Sequence, residues 1–291
     1  MPEIALLTDS VSDLIPEDII GLPIKIVPLK IDLNGELLKD GVEMSKDEFW
    51  QKMVNSRDED ELKLKTSQPS PQDFLNAYNK LFEKGYKKII SVHPSSKLSG
   101  TAQAARVGRT LTNREDDIEL VDSMGGSLLQ GILVLEAAKK AVKKESFGEI
   151  INWINSYKNK GKLLMIVPDL KYLEKGGRIG KAGSAIAGMI QLKPILTVSQ
   201  GEVTIEKKAI GERNAQKYIE KYVKDESRKQ SLVVCTCWGG GPEELENISK
   251  MHSEIGESSK ITFAILNRQI GAVIGCHTGP VYGVFMFPKL S

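Results

Sequence analysis

The sequence predicts an α/β protein of two domains. An N-terminal parallel-sheet α/β domain is expected over 1–161, and a C-terminal α/β (α+β) domain over 162–291. Three observations carry this reading. Short apolar runs alternate with amphipathic stretches through the first 160 or so residues, the pattern of a sheet crossed by helices. The pattern changes at Lys160-Gly161-Lys162, beyond which a glycine-rich stretch and a hairpin interrupt it. The length of 291 residues leaves room for two cores.

The elements follow in order. Ile4-Ala5-Leu6-Leu7 reads as a buried strand with a polar end, Thr8-Asp9-Ser10. Ile24 to Leu33 is strand-like, and Asn34-Gly35 is a two-residue hairpin turn. Ser45-x-x-Glu48 is a capping box that opens a helix through Phe49, Trp50 and Met53. Arg57 to Glu61 is a charged loop. Ser70-Pro71-x-Asp73 opens the next helix. Ser caps it, Pro needs no N–H in the first turn, and Asp complements the helix dipole. Phe74, Tyr78, Leu81 and Phe82 form its core stripe, and Gly85 ends it. Strand Lys88–Val92, helix Gly100–Leu111, strand Ile118–Val121 and helices Ser127–Lys144 and Phe147–Lys160 complete the first domain.

In the second domain, strand Leu163–Val167 precedes Lys175-Gly176-Gly177-Arg178-Ile179-Gly180. That stretch leads into Ala182 to Leu192, where Ala182, Ala185, Ile186, Met189 and Ile190 repeat at helical spacing. Strands 195–199 and 203–207 turn at Gln200-Gly201. Helix 211–224, strand 231–237, helix 242–254, strand 260–265 and a last strand from Tyr282 to Phe287 follow.

Composition excludes several function classes. Forty Lys+Arg against 38 Asp+Glu leave a net charge of +2, without the basic excess that nucleic acid requires. No apolar run approaches the roughly 18 residues of a spanning helix, so no membrane span is expected. Met1-Pro2-Glu3 runs into a strand without a basic-then-apolar leader, which points to the cytoplasm. Cys235, Cys237 and Cys276 are odd in number and lack zinc-knuckle spacing, so reduced thiols are expected. With no H-E-x-x-H or C-x-x-C, neither metal nor other cofactor is expected. Gly176 to Lys181 falls one residue short of a Walker A loop, and Ala182 replaces its hydroxyl. Asp9 lacks the second acid of a D-x-D motif, and no G-x-S-x-G occurs.

What stands out is a density of hydroxyls at two helix entrances: Lys65-Thr66-Ser67-Gln68-Pro69-Ser70 and Pro94-Ser95-Ser96-Lys97-Leu98-Ser99-Gly100-Thr101. Each can be plain capping chemistry. Each can also cradle a small anion, because O–H donors and free N–H groups meet at a helix's positive end. On successive βα units of one parallel sheet, both would lie at the same sheet edge, where ligands gather. His277, bracketed by Gly275 and Gly279 in a loop before the last strand, and Arg178, after Gly176-Gly177, are two further candidates.

Together, Thr8-Asp9-Ser10 with Asp13, Thr66-Ser67-Gln68-Pro69-Ser70, Ser95-Ser96-x-Leu98-Ser99-Gly100-Thr101, Val121-Asp122-Ser123, Lys175-Gly176-Gly177-Arg178-Ile179, Lys193-Pro194-Ile195-Leu196 and His277-Thr278-Gly279-Pro280 resemble the DegV family, in order and over nearly the whole chain. The resemblance implies a bacterial two-domain protein holding one long-chain fatty acid in a tunnel between its domains. It further implies an acyl-carrying subunit without turnover of its own. An ATP-dependent fatty acid kinase partner would phosphorylate the acid for phospholipid synthesis. The family's head-group contacts carry over to Thr66, Ser96 and His277, with Ser95, Ser67, Ser99 and Gly100 as neighbours. Ala102 and Val281 stand where the family usually has an aromatic residue and a glycine.

The acyl tail is expected along Ala182, Ala185, Ile186, Met189 and Ile190, with Phe263 and Ile265. Arg178, Lys97 and Arg213 are expected to face the partner, and contact with a membrane surface would be transient. The alternative is a free-standing hydrolase or acyltransferase using Ser96, His277 and an orienting Asp9 or Asp122. A third reading is an interaction scaffold with adventitious lipid.

Overall fold

The computed structural model describes residues 2–56, 62–185, 192–256 and 260–289, with only the backbone given for 184, 185 and 192. The chain divides into two compact units, 1–43 with 66–159, and 44–65 with 160–291.

The first unit begins with β1 (Ile4–Asp9), β2 (Ile24–Val27) and the hairpin β3 (Lys30–Leu33) and β4 (Glu36–Lys39). The chain then leaves for α1 (Lys46–Asn55), which belongs to the second unit, and returns along β5 (Leu64–Ser67). There follow α2 (Pro71–Glu83), β6 (Lys88–His93), α3 (Thr101–Thr110), β7 (Ile118–Asp122), α4 (Leu128–Val142) and α5 (Phe147–Tyr157). Strands β1, β2, β6 and β7 form a parallel sheet in the order β2-β1-β6-β7. All six residues of β1 are buried, as a central strand covered on both faces requires. On one face, Ala5, Leu7 and Ile89 meet Phe74, Tyr78 and Leu81 of α2 and Ala104 and Ala105 of α3. The other face takes α4, an apolar helix buried over most of its length. The Ser70–Asp73 capping box forms as the sequence dictates: Ser70 Oγ accepts the Asp73 N–H, and the Asp73 carboxylate accepts the Ser70 N–H.

The second unit continues with β8 (Lys162–Ile166), α6 (Lys171–Lys175), a 3-10 turn over Gly180–Ala185, β9 (Leu192–Ser199), β10 (Glu202–Ile210) and α7 (Glu212–Lys229). It ends with β11 (Leu232–Gly239), α8 (Pro242–Ile255), β12 (Ile261–Gln269), α9 (Ala272–Thr278) and β13 (Val281–Pro288). Its six-stranded sheet is mixed, in the order β10-β9-β8-β13-β11-β12, with β11 and β12 parallel. One face packs Leu164, Ile166, Val234, Val284 and Met286 against Ile219 and Val223 of α7 and Ile248 and Met251 of α8. Cys235, Cys237 and Phe285 alternate with these residues and are fully buried on the opposite face.

Two expectations are corrected by this architecture. The division into 1–161 and 162–291 assigned residues 44–65 to the first domain, yet they group with the second unit. The cause is the apolar face of α1. Trp50 Nε1 donates to the Ile270 carbonyl at 2.9 Å, Lys46 Nζ donates to the Gln269 carbonyl at 2.9 Å, and the Phe49 and Trp50 rings lie against Gly275. A Cβ on Gly275 would come within 2.8 Å of Trp50 Cζ2, so only glycine fits there. The stretch Ala182 to Leu192, read at helical spacing, opens as a 3-10 turn, and Leu192 already belongs to β9. Ile186, Met189 and Ile190 lie outside the described residues.

Candidate functional site

In the first unit, the sheet order puts the topological switch point between β1 and β6, whose carboxyl ends carry Asp9-Ser10 and His93-Pro94-Ser95. A buried polar network lies beneath it. His93 Nδ1 meets Asp9 Oδ2 at 2.7 Å, and His93 Nε2 meets Ser91 Oγ at 2.7 Å. Ser91 Oγ in turn meets Tyr78 OH at 3.0 Å. Gln130 Nε2 donates to Thr8 Oγ1 at 2.8 Å and to Asp9 Oδ2 at 3.2 Å, and Asp9 Oδ1 accepts the Val11 N–H at 3.0 Å. Burial drives the Tyr78 phenol well above its ordinary value. Asp9 and His93 are both 0% exposed, so this network braces the loops from below.

The loops above it are tied to one another. Asp122 accepts the Ser96 N–H with one oxygen, at 3.0 Å, and the Met124 N–H with the other, at 2.7 Å. The Ser95 N–H donates to the Gly125 carbonyl at 2.7 Å. Three non-glycine residues at this edge, Asp13, Met124 and Ser127, hold positive φ of 57°, 58° and 52°. Such strain persists only where surrounding contacts impose it, and it gathers at functional sites. Here Ser127 Oγ donates to the Asp13 carboxylate, which joins two of the three.

Part of the hydroxyl segments serves local structure. Ser70 is consumed by its capping box, and Ser99 Oγ accepts the Thr101 N–H at 3.3 Å at the start of α3. Ser95 is buried, and its Oγ accepts the Lys97 N–H. Ser96 and Ser67 are exposed, and Thr66 is half-buried. The two segments do not sit on successive βα units of one parallel sheet. Thr66 lies in β5, which belongs to a separate sheet of order β4-β3-β5, whereas Ser95 and Ser96 follow β6. The segments nevertheless meet. The Gln68 amide stands against Gly100, where a Cβ would lie 2.5 Å from its Oε1.

In the second unit, His277 lies in the last turn of α9 and not in a loop. Its Nδ1 is packed against the Cα of Gly176, and the Tyr172 ring lies against Gly279. Burial, reinforced by the nearby Arg178 guanidinium, lowers the His277 pKa to about 4. The imidazole is therefore neutral at pH 7. Arg178 is half-buried and donates to the Gly176 carbonyl at 2.7 Å, so part of its role is to hold this turn. Lys97 and Arg213 are exposed.

Among the expected tail residues, Ala182 is buried, and Ala185 is described only in its backbone. Phe263 and Ile265 do not share a face. The register of β12 slips between them, so Phe263 pairs with Val234 and Ile265 with Cys235. Phe263 packs into the core under α8, its ring 4.3 Å from that of His252, while Ile265 lies on the Cys235 face.

Asp9 is sealed against His93, and both oxygens of Asp122 hold loop N–H groups. No group of three or more His, Cys, Asp or Glu suited to a metal occurs among the described residues. No helix among them is long and apolar enough to cross a membrane. The bracing network went unread in the sequence, although an acid and an imidazole at the ends of two apolar runs were its visible signal.

A family model described as "Uncharacterised protein, DegV family" matches residues 3–289. A DegV domain-containing protein of Caldanaerobacter subterraneus subsp. tengcongensis is 33% identical, over 99% of this chain and 100% of that protein. The structure of a DegV family protein from Thermus thermophilus, described in terms of its fatty acid binding, superposes with a TM-score of 0.88. It is 29% identical over 98% of this chain and 99% of its own. A stearic acid-binding protein from Eubacterium ventriosum superposes with a TM-score of 0.85 at 25% identity, covering 98% of both chains.

Proposed function

The chain belongs to the DegV family, and on that premise we propose that it binds one long-chain fatty acid and has no turnover of its own. The observation that carries this reading is the full-length likeness to the Thermus thermophilus protein, whose structure is described as binding fatty acid.

In this reading Thr66, Ser96 and His277 hold the carboxyl group, with Ser95, Ser67, Ser99 and Gly100 around it. The chemistry suits a singly charged head group. Hydroxyls and a neutral imidazole donate hydrogen bonds without gathering the cations that a phosphate recruits. The tail runs along Ala182, Ala185, Ile186, Met189, Ile190 and Ile265. Each buried methylene contributes about 0.8 kcal/mol, so some 14 of them contribute roughly 11 kcal/mol before ordering costs. Each head-group hydrogen bond adds only about 0.5–1.5 kcal/mol. The tail thus supplies affinity, and the hydroxyls set orientation and register.

The bound acid is then presented, in a bacterial cytoplasm, to an ATP-dependent kinase partner. A carboxylate oxygen forms the new bond to the γ-phosphorus as the bond to ADP breaks, giving an acyl-phosphate for phospholipid synthesis. Lys97, Arg178 and Arg213 face that partner, and delivery involves transient contact with a membrane surface.

Native mass spectrometry of the purified protein tests the binding step. A co-purifying long-chain acid, or uptake of added oleate that weakens in Thr66→Ala and His277→Ala, is the expected result. A protein that stays empty with oleate present would overturn the reading.

A further inference from the structure

The first unit carries a second recognition surface that fatty-acid binding leaves unused. Between the edge strand β2, the β3–β4 hairpin and α2 lies an open cleft of about 200 Å³. Because β2 is the edge of its sheet, no further strand of that sheet closes this side. The floor is apolar, with Val27 and Ala77 buried at 4% and 5% exposure. The rim carries Lys25, Lys30, Lys39 and Lys80 against one carboxylate, Asp73. Lys39 is paired with Glu43 at 3.4 Å. Lys25, Lys30 and Lys80 make no ion pair among the described residues.

The one acid in the cleft is already committed. Asp73 accepts the Ser70 N–H at 2.9 Å and the Ser70 hydroxyl at 2.7 Å in the cap of α2. Partial burial pushes its carboxyl up, but the Ser70 bonds and the charges of Lys30 and Lys39 outweigh that and hold it below the usual range. Those two ammoniums therefore already act on a common anionic group. Asn76 also lines the cleft, and its Oδ1 accepts from Gln72 Nε2 at 2.9 Å.

Ammoniums are compact point charges that suit phosphate without a fixed fork geometry. A phosphate monoester carries about −1.5 to −2 charges at pH 7. Three unpaired ammoniums match that better than they match a monocarboxylate, and the floor offers contact to a carbon skeleton. We propose that this cleft binds a small organic phosphate monoester, its phosphoryl group among Lys25, Lys30 and Lys80 and its carbon portion over Val27 and Ala77. The site is independent of the fatty-acid reading and stands whether or not lipid binds.

The test is an amide NMR titration of the full chain with phenyl phosphate, with inorganic phosphate and with sodium chloride at matched ionic strength. Saturable shifts confined to residues 24–30 and 72–80 are expected, stronger for phenyl phosphate and absent with chloride. Lys30→Gln with Lys80→Gln should weaken phenyl phosphate about tenfold or more at an unchanged melting temperature. Shifts reproduced by chloride, spread over the lysines of α7, or unaltered in the double variant would overturn the site. Equal affinity for the two phosphates would overturn the organic-ligand assignment.

Discussion

Acidification from about pH 7.5 to about pH 5 should destabilise the fold by about 2 kcal/mol through one side chain, His277. In the folded chain its pKa lies at about 4, held down by burial and then by Arg178. In the unfolded chain an imidazole titrates near 6.5, with each unit of difference worth about 1.4 kcal/mol. Between those two values the unfolded state binds a proton that the folded state does not, so stability rises with pH through this window. The contribution is flat above about pH 6.5 and fully spent below about pH 4, where the total reaches roughly 3 kcal/mol. Other groups titrate over the same range, so the measurement is a difference. Urea unfolding of the parent chain and of His277→Gln at both pH values isolates the imidazole. The parent should lose about 2 kcal/mol more than the variant. Imidazole C–H resonances give the midpoint directly. A midpoint at or above 6, or parallel pH profiles for the two proteins, would refute the burial argument.

Three further outcomes follow from the geometry. Saturating oleate should raise the His277 midpoint, because a carboxylate at hydrogen-bond distance favours imidazolium; an unmoved midpoint in a loaded protein removes His277 from the head-group site. Asp9→Ala strands the His93 and Val11 donors beside a carboxylate site of 0% exposure. It should cost about 3–5 kcal/mol in thermal or urea unfolding, and a loss below about 1 kcal/mol would show that water replaces the carboxylate. Gly275→Ala would ordinarily favour a helix by about 1 kcal/mol. Against Phe49 and Trp50 it should instead destabilise by about 1–3 kcal/mol. A double-mutant cycle with Trp50→Phe should show strong coupling, and additive effects would break the assignment of α1 to the second unit.

The parts of this fold that were legible are those whose signals are local. The Ser70–Asp73 box, the stripe Phe74, Tyr78 and Leu81, and the all-apolar Ile4–Leu7 state their structure within a few residues. Features set by distant partners were not legible. Phe49, Trp50 and Met53 announce an apolar face without naming what covers it, so 44–65 read as part of the first domain. Gly275 and Gly279 around His277 look like loop residues, yet Gly275 lies within a helix, where it is glycine because Phe49 and Trp50 leave no room for a Cβ. Phe263 and Ile265, two apart, should share a strand face, and only the register slip at Ala264 divides them. At the candidate site the residue types were readable and the roles were not. Ser70 and Ser99 cap helices, while Asp9 and Asp122, candidates for orienting His277, hold loops in place.

The insertion of α1 into the first half of the chain also bears on how the protein is made. Trp50 waits for Ile270, its hydrogen-bond partner 220 residues later. At about 5–20 residues per second on the ribosome, that separation lasts roughly 10–45 s. During it the nascent chain displays Phe49 and Trp50, two of its largest buried rings, without the Ile270 and Gly275 contacts that complete their site. Translation speed and chaperone supply, more than final stability, should therefore govern the yield of correctly folded molecules.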